Sequence, residues 1–293
     1  MKIKELLPKV EENISLAKYT TFKIGGNAKY FFTAETKEDI IKAVKAAQQS
    51  GLLFFILVGG SNILFSDQGF DGLVIMVKAR KNELKIDNIY VEAGETLAGV
   101  VHMASEAGLS GLEWAAGVPG TVGGAVRGNA GAFNSSMSDI IDSVEVLDAS
   151  DLTVTSYNRE DCEFEYRNSI FKRNKNLIIL STKIKLKKGN TEEVRKQMKK
   201  CIDYRIEHHP LEFPSAGSIF KNPEGFSAGA LIDKSGLKGK TIGNAKISEK
   251  HCNFIINLGG ATAKDILALI KLAKEKVKEN FGVNLEEEIV VFN

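Results

Sequence analysis

The segment AGVPGTVGGAVRGNAGA, residues 116–132, is the most distinctive part of the sequence, because its composition suits a backbone that a flat or charged ligand must approach closely. Seven glycines fall between positions 111 and 131. Each costs roughly 0.5–1 kcal/mol relative to alanine in regular structure, so such a density needs a reason. A flexible loop would be one reason, but Pro119 and the interspersed Ala and Val residues favour a stiff, buried segment. We interpret it as a ligand-binding segment. No G-x-G-x-x-G here follows a strand and opens a helix, so it is not the Rossmann fingerprint.

A second glycine motif, GGSN at residues 59–62, follows the apolar run from Leu52 to Val58. That run predicts a strand buried on both faces. Backbone N–H groups and the side chains of Ser61 and Asn62 could surround an anion such as a phosphate. A tight turn between two strands fits the same four residues, so the motif alone leaves both interpretations open.

Around these motifs, apolar periodicity and capping residues predict an α+β fold. Strands are expected at 28–33, 52–58, 89–93, 177–186, 253–258 and 289–292, with a hairpin joining 144–147 to 152–157. Ile3, Leu6, Leu7 and Val10 fall at helical spacing. Further helices are expected after the Thr36–Asp39 capping box, at 97–104, from Asn190 to about Glu207, and from Thr262 to Gly282. The change in pattern indicates boundaries near residues 85 and 188.

Composition excludes several classes of protein. Lys plus Arg number 39 against 37 Asp plus Glu, a net charge of +2, so we expect no nucleic-acid partner. The longest apolar run is too short to span a bilayer, and the charged N-terminal sequence is no signal peptide, so we expect no membrane partner. Three scattered cysteines without a CxxC pair argue against a disulfide framework or a metal site and favour the cytoplasm.

Three further motifs resemble known functional sites but do not match their patterns. GLKGKT at 236–241 has two residues between its glycines where a nucleotide-triphosphate loop has four. Ser218 follows a glycine, but the G-x-S-x-G of a nucleophile elbow is absent. Adjacent histidines, His208 and His209, point apart at a helix end, so a solvated turn is the better interpretation than a metal site.

Three residues become informative only in combination with these motifs: Arg167, Ser218 and Glu288. Each alone fits a surface charge or a turn hydroxyl. Five motifs occur in one order, GGSNIL (59–64), GVPGTVGGA with GNAGA (117–132), YRNSIFK (166–172), AGSIFKNP (216–223) and L-x-x-E-I (285–289). Together they resemble the UDP-N-acetylenolpyruvoylglucosamine reductase family over nearly the whole chain.

The resemblance implies an α+β fold with a FAD-binding region of the vanillyl-alcohol-oxidase type in two subdomains, 1–85 and 86–188. A C-terminal α+β substrate-binding domain would cover 189–293. By motif match, the FAD pyrophosphate would be held by Gly59, Gly60, Ser61 and Asn62. The flavin would lie along Gly120, Thr121, Gly123, Gly124, Asn129, Ala130, Gly131 and Ala132. No histidine precedes residue 102, so we expect the FAD to be bound noncovalently.

The resemblance also implies a reaction in two halves, in which NADPH reduces FAD and hydride then passes to the enolpyruvyl sugar nucleotide. Arg167 and Glu288 would polarise the substrate carboxylate, and Ser218 would give the α-carbon its proton. Glu288 must be protonated for this, which its burial could arrange. Tyr166 and Asn222 would contact the substrate.

The stretch 173–217 has room for a strand, a helix and a short loop, so the inserted module that carries a clamping tyrosine in some members is absent. The chain thus resembles the shorter subclass. How such a chain holds the sugar nucleotide stays open, with Arg205 a candidate phosphate contact. We expect a monomer, and the choice of NADPH over NADH stays open.

Two other functions fit parts of the sequence. An FAD oxidase of the same superfamily often tethers its flavin to a histidine in the phosphate loop, where this chain has none. A catalytically silent nucleotide-sugar sensor would keep the glycine segments but has no need for Arg167, Ser218 and Glu288 together. Steady NADPH consumption with the enolpyruvyl sugar nucleotide separates the three functions.

Overall fold

The computed structural model describes residues 2–292, which contain eight α-helices and eighteen β-strands. The helices are α1 (Ile3–Leu6), α2 (Lys37–Gln49), α3 (Leu97–Glu106), α4 (Val122–Arg127), α5 (Ile170–Arg173), α6 (Thr191–His208), α7 (Ala228–Lys234) and α8 (Ala263–Phe281). Short 3₁₀ turns lie at Leu16–Tyr19, Glu113–Ala115 and Met137–Asp139.

The first nine strands are β1 (Glu11–Ser15), β2 (Asn27–Ala34), β3 (Phe54–Leu57), β4 (Ile63–Phe65), β5 (Phe70–Val77), β6 (Asn82–Lys85), β7 (Asn88–Glu92), β8 (Leu109–Ser110) and β9 (Gly131–Ala132). The other nine are β10 (Ser135–Ser136), β11 (Ile141–Asp148), β12 (Thr153–Asn158), β13 (Leu177–Lys185), β14 (Lys187–Lys188), β15 (Thr241–Ile242), β16 (Ala245–Ile247), β17 (Ile255–Asn257) and β18 (Val290–Phe292).

The chain divides into two compact units, each built from separated segments. Unit 1 comprises the residues up to Glu12, Tyr30–Gly59 and Gly72–Tyr204. Unit 2 comprises Asn13–Lys29, Gly60–Asp71 and the chain from Arg205 onward. Residues 86–188 lie wholly in unit 1, whereas residues 1–85 contribute to both units. The expected functional boundaries near 85 and 188 therefore do not coincide with these units, and they stay a prediction.

Unit 1 contains a five-stranded antiparallel sheet in the order β12-β11-β13-β7-β6. Its core includes Ile40 and Val44 of α2, Val100 of α3, and Val144 and Ile184 of the sheet, all with no exposed surface. The amphipathic spacing that predicted α2 and α3 is therefore the spacing that the core uses.

The run 52–58 forms a shorter and more exposed strand than expected. Only β3 is extended, and it is the last strand in a four-stranded sheet of order β1-β2-β5-β3, where it pairs with β5 in parallel. Leu53 is 73% exposed, and within β3 only Leu57 is fully buried. The expectation of a strand buried on both faces was wrong, because the other three residues of β3 are only partly buried.

Unit 2 has its own core beneath α8. Six residues of α8 that recur at helical spacing are buried, namely Ala263, Ile266, Leu269, Ile270, Ala273 and Val277. Phe22 and Leu64 from earlier parts of the chain pack into the same cluster. Strands β15, β16 and β17 form an antiparallel sheet, and β18 pairs with β4 in parallel. The unit therefore needs residues from three regions of the sequence.

Helix boundaries follow the capping residues closely. Both predicted capping boxes are present, Thr36 with Asp39 before α2 and Thr262 with Asp265 before α8, and Gly282 ends α8 in the left-handed conformation. The Asn190 side chain accepts hydrogen bonds from the N–H groups of Glu192 and Glu193. The N-terminal helix, in contrast, ends at Leu6 and does not reach Val10. Over residues 2–292, no helix has the length and apolarity needed to cross a membrane.

Candidate functional site

The two glycine motifs meet within unit 1 at the backbones of Gly59 and Gly120. A Cβ added to Gly59 would lie 2.7 Å from the Cα of Gly120 and 3.1 Å from the backbone N of Thr121. No other residue type could stand at Gly59 without moving this backbone. The contact leaves a surface poor in side chains, where a flat or anionic ligand can reach the main chain. This arrangement suits a dinucleotide.

The centre of the glycine-rich segment is a helix, α4, and not an extended loop. Thr121 caps it by accepting a hydrogen bond from the N–H of Gly124, and the N–H of Gly123 donates to the carbonyl oxygen of Ala93 at 3.0 Å. A Cβ on Gly123 would lie 2.7 Å from the Cβ of Ala93. Gly124 has more room, with its nearest neighbour, Cγ2 of Val58, at 3.4 Å. Gly123 therefore serves packing, whereas Gly124 leaves space beside the helix.

The end of the segment forms a small hairpin. Gly131 and Ala132 in β9 pair with Ser136 and Ser135 in β10. Asn129 is buried, and its side chain donates to the carbonyl oxygen of Glu165 at 2.8 Å and accepts from the N–H of Ser138 at 3.0 Å. The amide of Asn129, expected along the flavin, thus joins the hairpin to the segment that carries Arg167.

Arg167 stands on a tight turn that several hydrogen bonds fix. Glu165 and Asn168 exchange two backbone hydrogen bonds, which leaves Tyr166 and Arg167 at the tip of the turn. Arg167 has φ +56°, in the left-handed region. Nη2 of Arg167 donates to the carbonyl oxygen of Gly131 at 2.8 Å, and Nζ of Lys172 donates to the carbonyl oxygen of Arg167. The guanidinium lies 5.1 Å from the ring centroid of Tyr166, which is 55% exposed.

In unit 2, Ser218 begins an extended stretch that pairs on both sides. Ser218 forms a bridge with Phe254, and Ile219 donates its N–H to the carbonyl oxygen of Asn253 at 2.8 Å. The buried side chain of Asn253 accepts from the N–H of Phe220 and donates to its carbonyl oxygen, at 3.0 and 2.8 Å. This pattern imitates a neighbouring strand and fixes the backbone that presents the Ser218 hydroxyl.

Glu288 pairs with the other side of the same stretch. Its N–H donates to the carbonyl oxygen of Ile219 at 2.8 Å, and its own carbonyl oxygen accepts from Nδ2 of Asn62 at 3.2 Å. Ser218 and Glu288, two of the three expected catalytic residues, therefore lie on neighbouring paired segments of one unit. Glu288 is half-buried, so the protection from water that we expected for it is partial.

The loop before Asn62 depends on glycine at position 60. Gly60 has φ +60°, and a Cβ there would collide with the carbonyl oxygen of Tyr19. Its own carbonyl oxygen accepts from the N–H of Thr21 at 3.0 Å. The 3₁₀ turn at Leu16–Tyr19 and the residues after it thus restrict the backbone conformation of the loop.

Asn222 and Arg205 have structural contacts of their own. The side-chain oxygen of Asn222 accepts from the N–H of Ala228, the first residue of α7. Arg205 is buried near the end of α6, and its charge contributes to lowering the pKa of His209. Neither contact was visible in the sequence.

His209 is not in the solvated turn that we expected. It packs against the rings of His251 and Phe254, at centroid distances of 5.6 and 4.9 Å. Burial lowers its pKa to about 4, with the neighbouring charges of His251, Arg205, His208 and Lys250 acting in the same direction. Its imidazole is therefore part of an aromatic cluster behind Phe254, the residue that pairs with Ser218.

Within the described residues the structure shows no cluster that could bind a metal ion, and two of the three cysteines lie where the thiolate is disfavoured. Across the described part of the chain, no three His, Cys, Asp or Glu side chains are grouped so that they could hold a metal ion. Burial raises the pKa of the Cys162 thiol to about 12 and also raises that of Cys252, so both disfavour the reactive thiolate.

Sequence reasoning missed Asn253 and the role of Asn129. Both are polar side chains that hydrogen-bond to backbone groups far away in sequence. Asn253 bonds to the N–H and carbonyl oxygen of Phe220, and Asn129 bonds to the carbonyl oxygen of Glu165. An asparagine at the start of an apolar strand is unusual, because asparagine is depleted in strands. That was the available signal for Asn253.

Two family sequence models match this chain. Residues 28–156 match the FAD binding domain, and residues 209–292 match the C-terminal domain of UDP-N-acetylenolpyruvoylglucosamine reductase. The matches bear out the expected α+β fold class, with a FAD-binding region followed by a C-terminal domain.

Relatives match over nearly their full length. A UDP-N-acetylenolpyruvoylglucosamine reductase from Caldanaerobacter subterraneus subsp. tengcongensis is 42% identical, over 99% of this chain and 96% of its own. Another, from Caldicellulosiruptor saccharolyticus, is 44% identical, over 94% and 89%. The crystal structure of UDP-N-acetylenolpyruvylglucosamine reductase from Thermus caldophilus superposes with a TM-score of 0.83 at 37% identity, covering 97% of this chain and 99% of that one.

Proposed function

Since this chain belongs to the UDP-N-acetylenolpyruvoylglucosamine reductase family, we propose that Arg167, Ser218 and Glu288 carry its acid and charge-stabilising chemistry. The protein is an FAD-containing oxidoreductase that reduces UDP-N-acetylglucosamine enolpyruvate to UDP-N-acetylmuramate in peptidoglycan precursor synthesis. The observation that carries the residue assignment is the backbone pairing of Glu288 with Ile219, at 2.8 Å, because it ties the carboxyl group to the segment that presents Ser218.

Each of the three residues answers one need of the reaction. When bound, FAD supplies the hydride that reaches the methylene carbon of the enolpyruvyl group. The guanidinium of Arg167 stabilises the charge that develops on the substrate carboxylate, and its rigid attachment to Gly131 lowers the cost of that stabilisation. Ser218 gives a proton to the α-carbon. A serine is a weak acid, so it can do this only because a carbanion-like centre is a far stronger base. Glu288, in its protonated form, donates a hydrogen bond to the same carboxylate.

The glycine-rich elements are proposed to hold the FAD. Gly59, Gly60 and Ser61 would bind the pyrophosphate through main-chain and hydroxyl donors. Residues 120–124 and 129–132 would lie along the flavin, where the lack of side chains at Gly120 and Gly124 leaves room for a ring. The close backbone contact of Gly59 with Gly120 supports this assignment, because it excludes side chains from the surface concerned.

NADPH is proposed as the electron donor, and the substrate contacts are proposed to include Tyr166, Asn222 and Arg205. Tyr166 is exposed beside the Arg167 guanidinium, where a ring can cover a bound sugar nucleotide. The oxygen of Asn222 holds α7, so its role would rest on the amide nitrogen. Arg205 would bind a phosphate.

The working form is proposed to be a monomer in the cytoplasm. The three scattered cysteines, without a CxxC pair, support that compartment. Sedimentation velocity of the purified protein tests the oligomeric state.

One preparation tests the activity and the cofactor together. Acid denaturation should release free FAD into the supernatant, and the enolpyruvyl sugar nucleotide should sustain NADPH oxidation. A flavin that stays with the pellet would indicate a covalent oxidase. Bound FAD without turnover would indicate a sensor. A protein that stays colourless after incubation with FAD would contradict the proposed cofactor site.

A further inference from the structure

Asn62 is assigned to the FAD pyrophosphate by its motif, but its side chain is directed to another partner. Nδ2 of Asn62 donates to the carbonyl oxygen of Glu288 at 3.2 Å. In return, the N–H of Val290 donates to the carbonyl oxygen of Asn62 at 3.0 Å. Two hydrogen bonds thus join the glycine loop to the segment that carries the catalytic carboxyl group.

The position of this pair within the fold lets it influence the backbone of Glu288. Parallel pairing of β4 with β18 starts at the next residues, with Ile63 opposite Val290. Glu288 lies just before β18, and its N–H is held by the carbonyl oxygen of Ile219. The backbone of Glu288 is therefore held from two sides, by Ile219 through its N–H and by Asn62 through its C=O.

We propose that Asn62 is a positioning residue for Glu288, acting through the Glu288 carbonyl, and that its side chain is not a ligand of the FAD pyrophosphate. The inference rests on the proposed function, which gives Glu288 its place at the substrate carboxylate. Without the amide, one of the two fixed points of the Glu288 backbone is lost. A misplacement on the order of 1 Å can cost about 100-fold in rate, so a measurable kinetic effect is expected.

A purely structural role predicts a different result. The hydrogen bond is exposed, and an ordinary hydrogen bond contributes about 1 kcal/mol to stability. Loss of stability alone would leave the folded fraction with normal half-reactions. A pyrophosphate ligand would instead show its loss in FAD affinity.

The experiment compares Asn62→Ala, Asn62→Gln and Glu288→Gln with the double variant Asn62→Ala, Glu288→Gln. FAD affinity is measured by titrating deflavinated protein, and stopped-flow absorbance follows flavin reduction by NADPH and reoxidation by the enolpyruvyl sugar nucleotide separately. Asn62→Ala should keep its FAD affinity and its reduction rate and slow reoxidation by about 10-fold or more. Asn62→Gln keeps an amide on a longer side chain and should recover part of that rate.

The double variant shows whether Asn62 acts through Glu288. In the Glu288→Gln background, Asn62→Ala should add little further slowing, because two residues in one pathway are not additive. Ser61→Ala in the same loop is the contrast, since its expected loss is in FAD affinity. Weakened FAD binding in Asn62→Ala with normal reoxidation would overturn the positioning role, as would fully additive slowing.

The two levels of the proposal fail in different ways. If Glu288→Gln alone reoxidises at the normal rate, Glu288 has no place in the mechanism and the proposed function of this residue is overturned. If Glu288→Gln is slow while Asn62→Ala is normal, only the positioning role is overturned.

Discussion

Nη2 of Arg167 donates a hydrogen bond to the carbonyl oxygen of Gly131 at 2.8 Å, so the guanidinium is attached to the hairpin that ends the glycine-rich segment. Lys172 fixes the main chain of Arg167, and Asn129 ties the same hairpin to Glu165. A charge held this firmly needs little reorganisation when negative charge develops on a bound carboxylate. The relationship also defines what a substitution at this position removes.

Arg167→Lys should slow reoxidation of the flavin by at least about 10-fold, because a lysine offers a point charge where arginine offers a planar fork. The fork can bind Gly131 through one N–H and a carboxylate through others, whereas a lysine ammonium lacks that geometry. Stopped-flow reoxidation by the enolpyruvyl substrate measures the effect. Arg173→Lys is the matched control, because Arg173 directly follows the same motif and is an exposed ion-pair partner of Glu163, and this variant should behave as wild type. Normal reoxidation in the Arg167 variant would remove the assigned role.

Ser218→Ala should separate the two halves of the reaction. Flavin reduction by NADPH needs no proton from this hydroxyl and should be close to wild type, whereas reoxidation should slow by roughly 10²–10⁴-fold, as for a lost general acid. A structural serine provides the control: Ser235, whose hydroxyl donates to the carbonyl oxygen of Leu231, should lose only stability when changed to alanine. Equal slowing of both halves in Ser218→Ala would point to a displaced cofactor.

Gly123→Ala and Gly124→Ala should differ although they are neighbours in α4. The new Cβ of the first would lie 2.7 Å from the Cβ of Ala93, so we expect a loss of about 1–3 kcal/mol of stability from overpacking. The second meets its nearest atom at 3.4 Å and should keep its thermal stability without FAD. Any fall in FAD affinity in Gly124→Ala then reports on the flavin itself. Unchanged affinity there would remove Gly124 from the proposed binding surface.

His209 should make the protein less stable as the pH falls. Its pKa is about 4 in the folded state, below the ordinary 6.5, so the unfolded chain binds more protons between these values. The contribution of neutral His209 to the free energy of unfolding is therefore fully present above about pH 6.5 and decreases as the pH falls toward 4. Urea midpoints at pH 5 and pH 7 measure it. His209→Phe keeps an aromatic ring against Phe254 and should flatten this dependence, with the part due to His251 remaining. An unchanged pH dependence in that variant would contradict the assignment.

The sequence predicted the elements that local chemistry determines. The capping boxes at Thr36 and Thr262 and the C-terminal Gly282 define helix ends through contacts between near neighbours in the chain, and those helices were found as expected. Helix α4 was missed because glycine lowers helix propensity, so the capping residue Thr121 was passed over.

The site was predictable only where its contacts are local or its motif is distinctive. Gly59 and Gly120 each lie in a recognised motif, but nothing in either motif shows that their backbones touch. The same holds for the amide of Asn253 on Phe220 and for that of Asn62 on Glu288. These contacts join residues far apart in the chain, and single-sequence patterns carry no information about such pairing.

The interleaving of the two units bears on how the chain folds during synthesis. Phe22, Ile24 and Leu64 belong to the core of unit 2, yet most of their partners lie beyond Arg205. Strand β4 likewise obtains its partner β18 from the last residues of the chain. During synthesis on the ribosome these apolar side chains therefore remain exposed to solvent until most of the polypeptide has been made. A fragment that stops at Tyr204 would leave these side chains uncovered and prone to aggregation. The core of unit 2 can therefore form only late in synthesis.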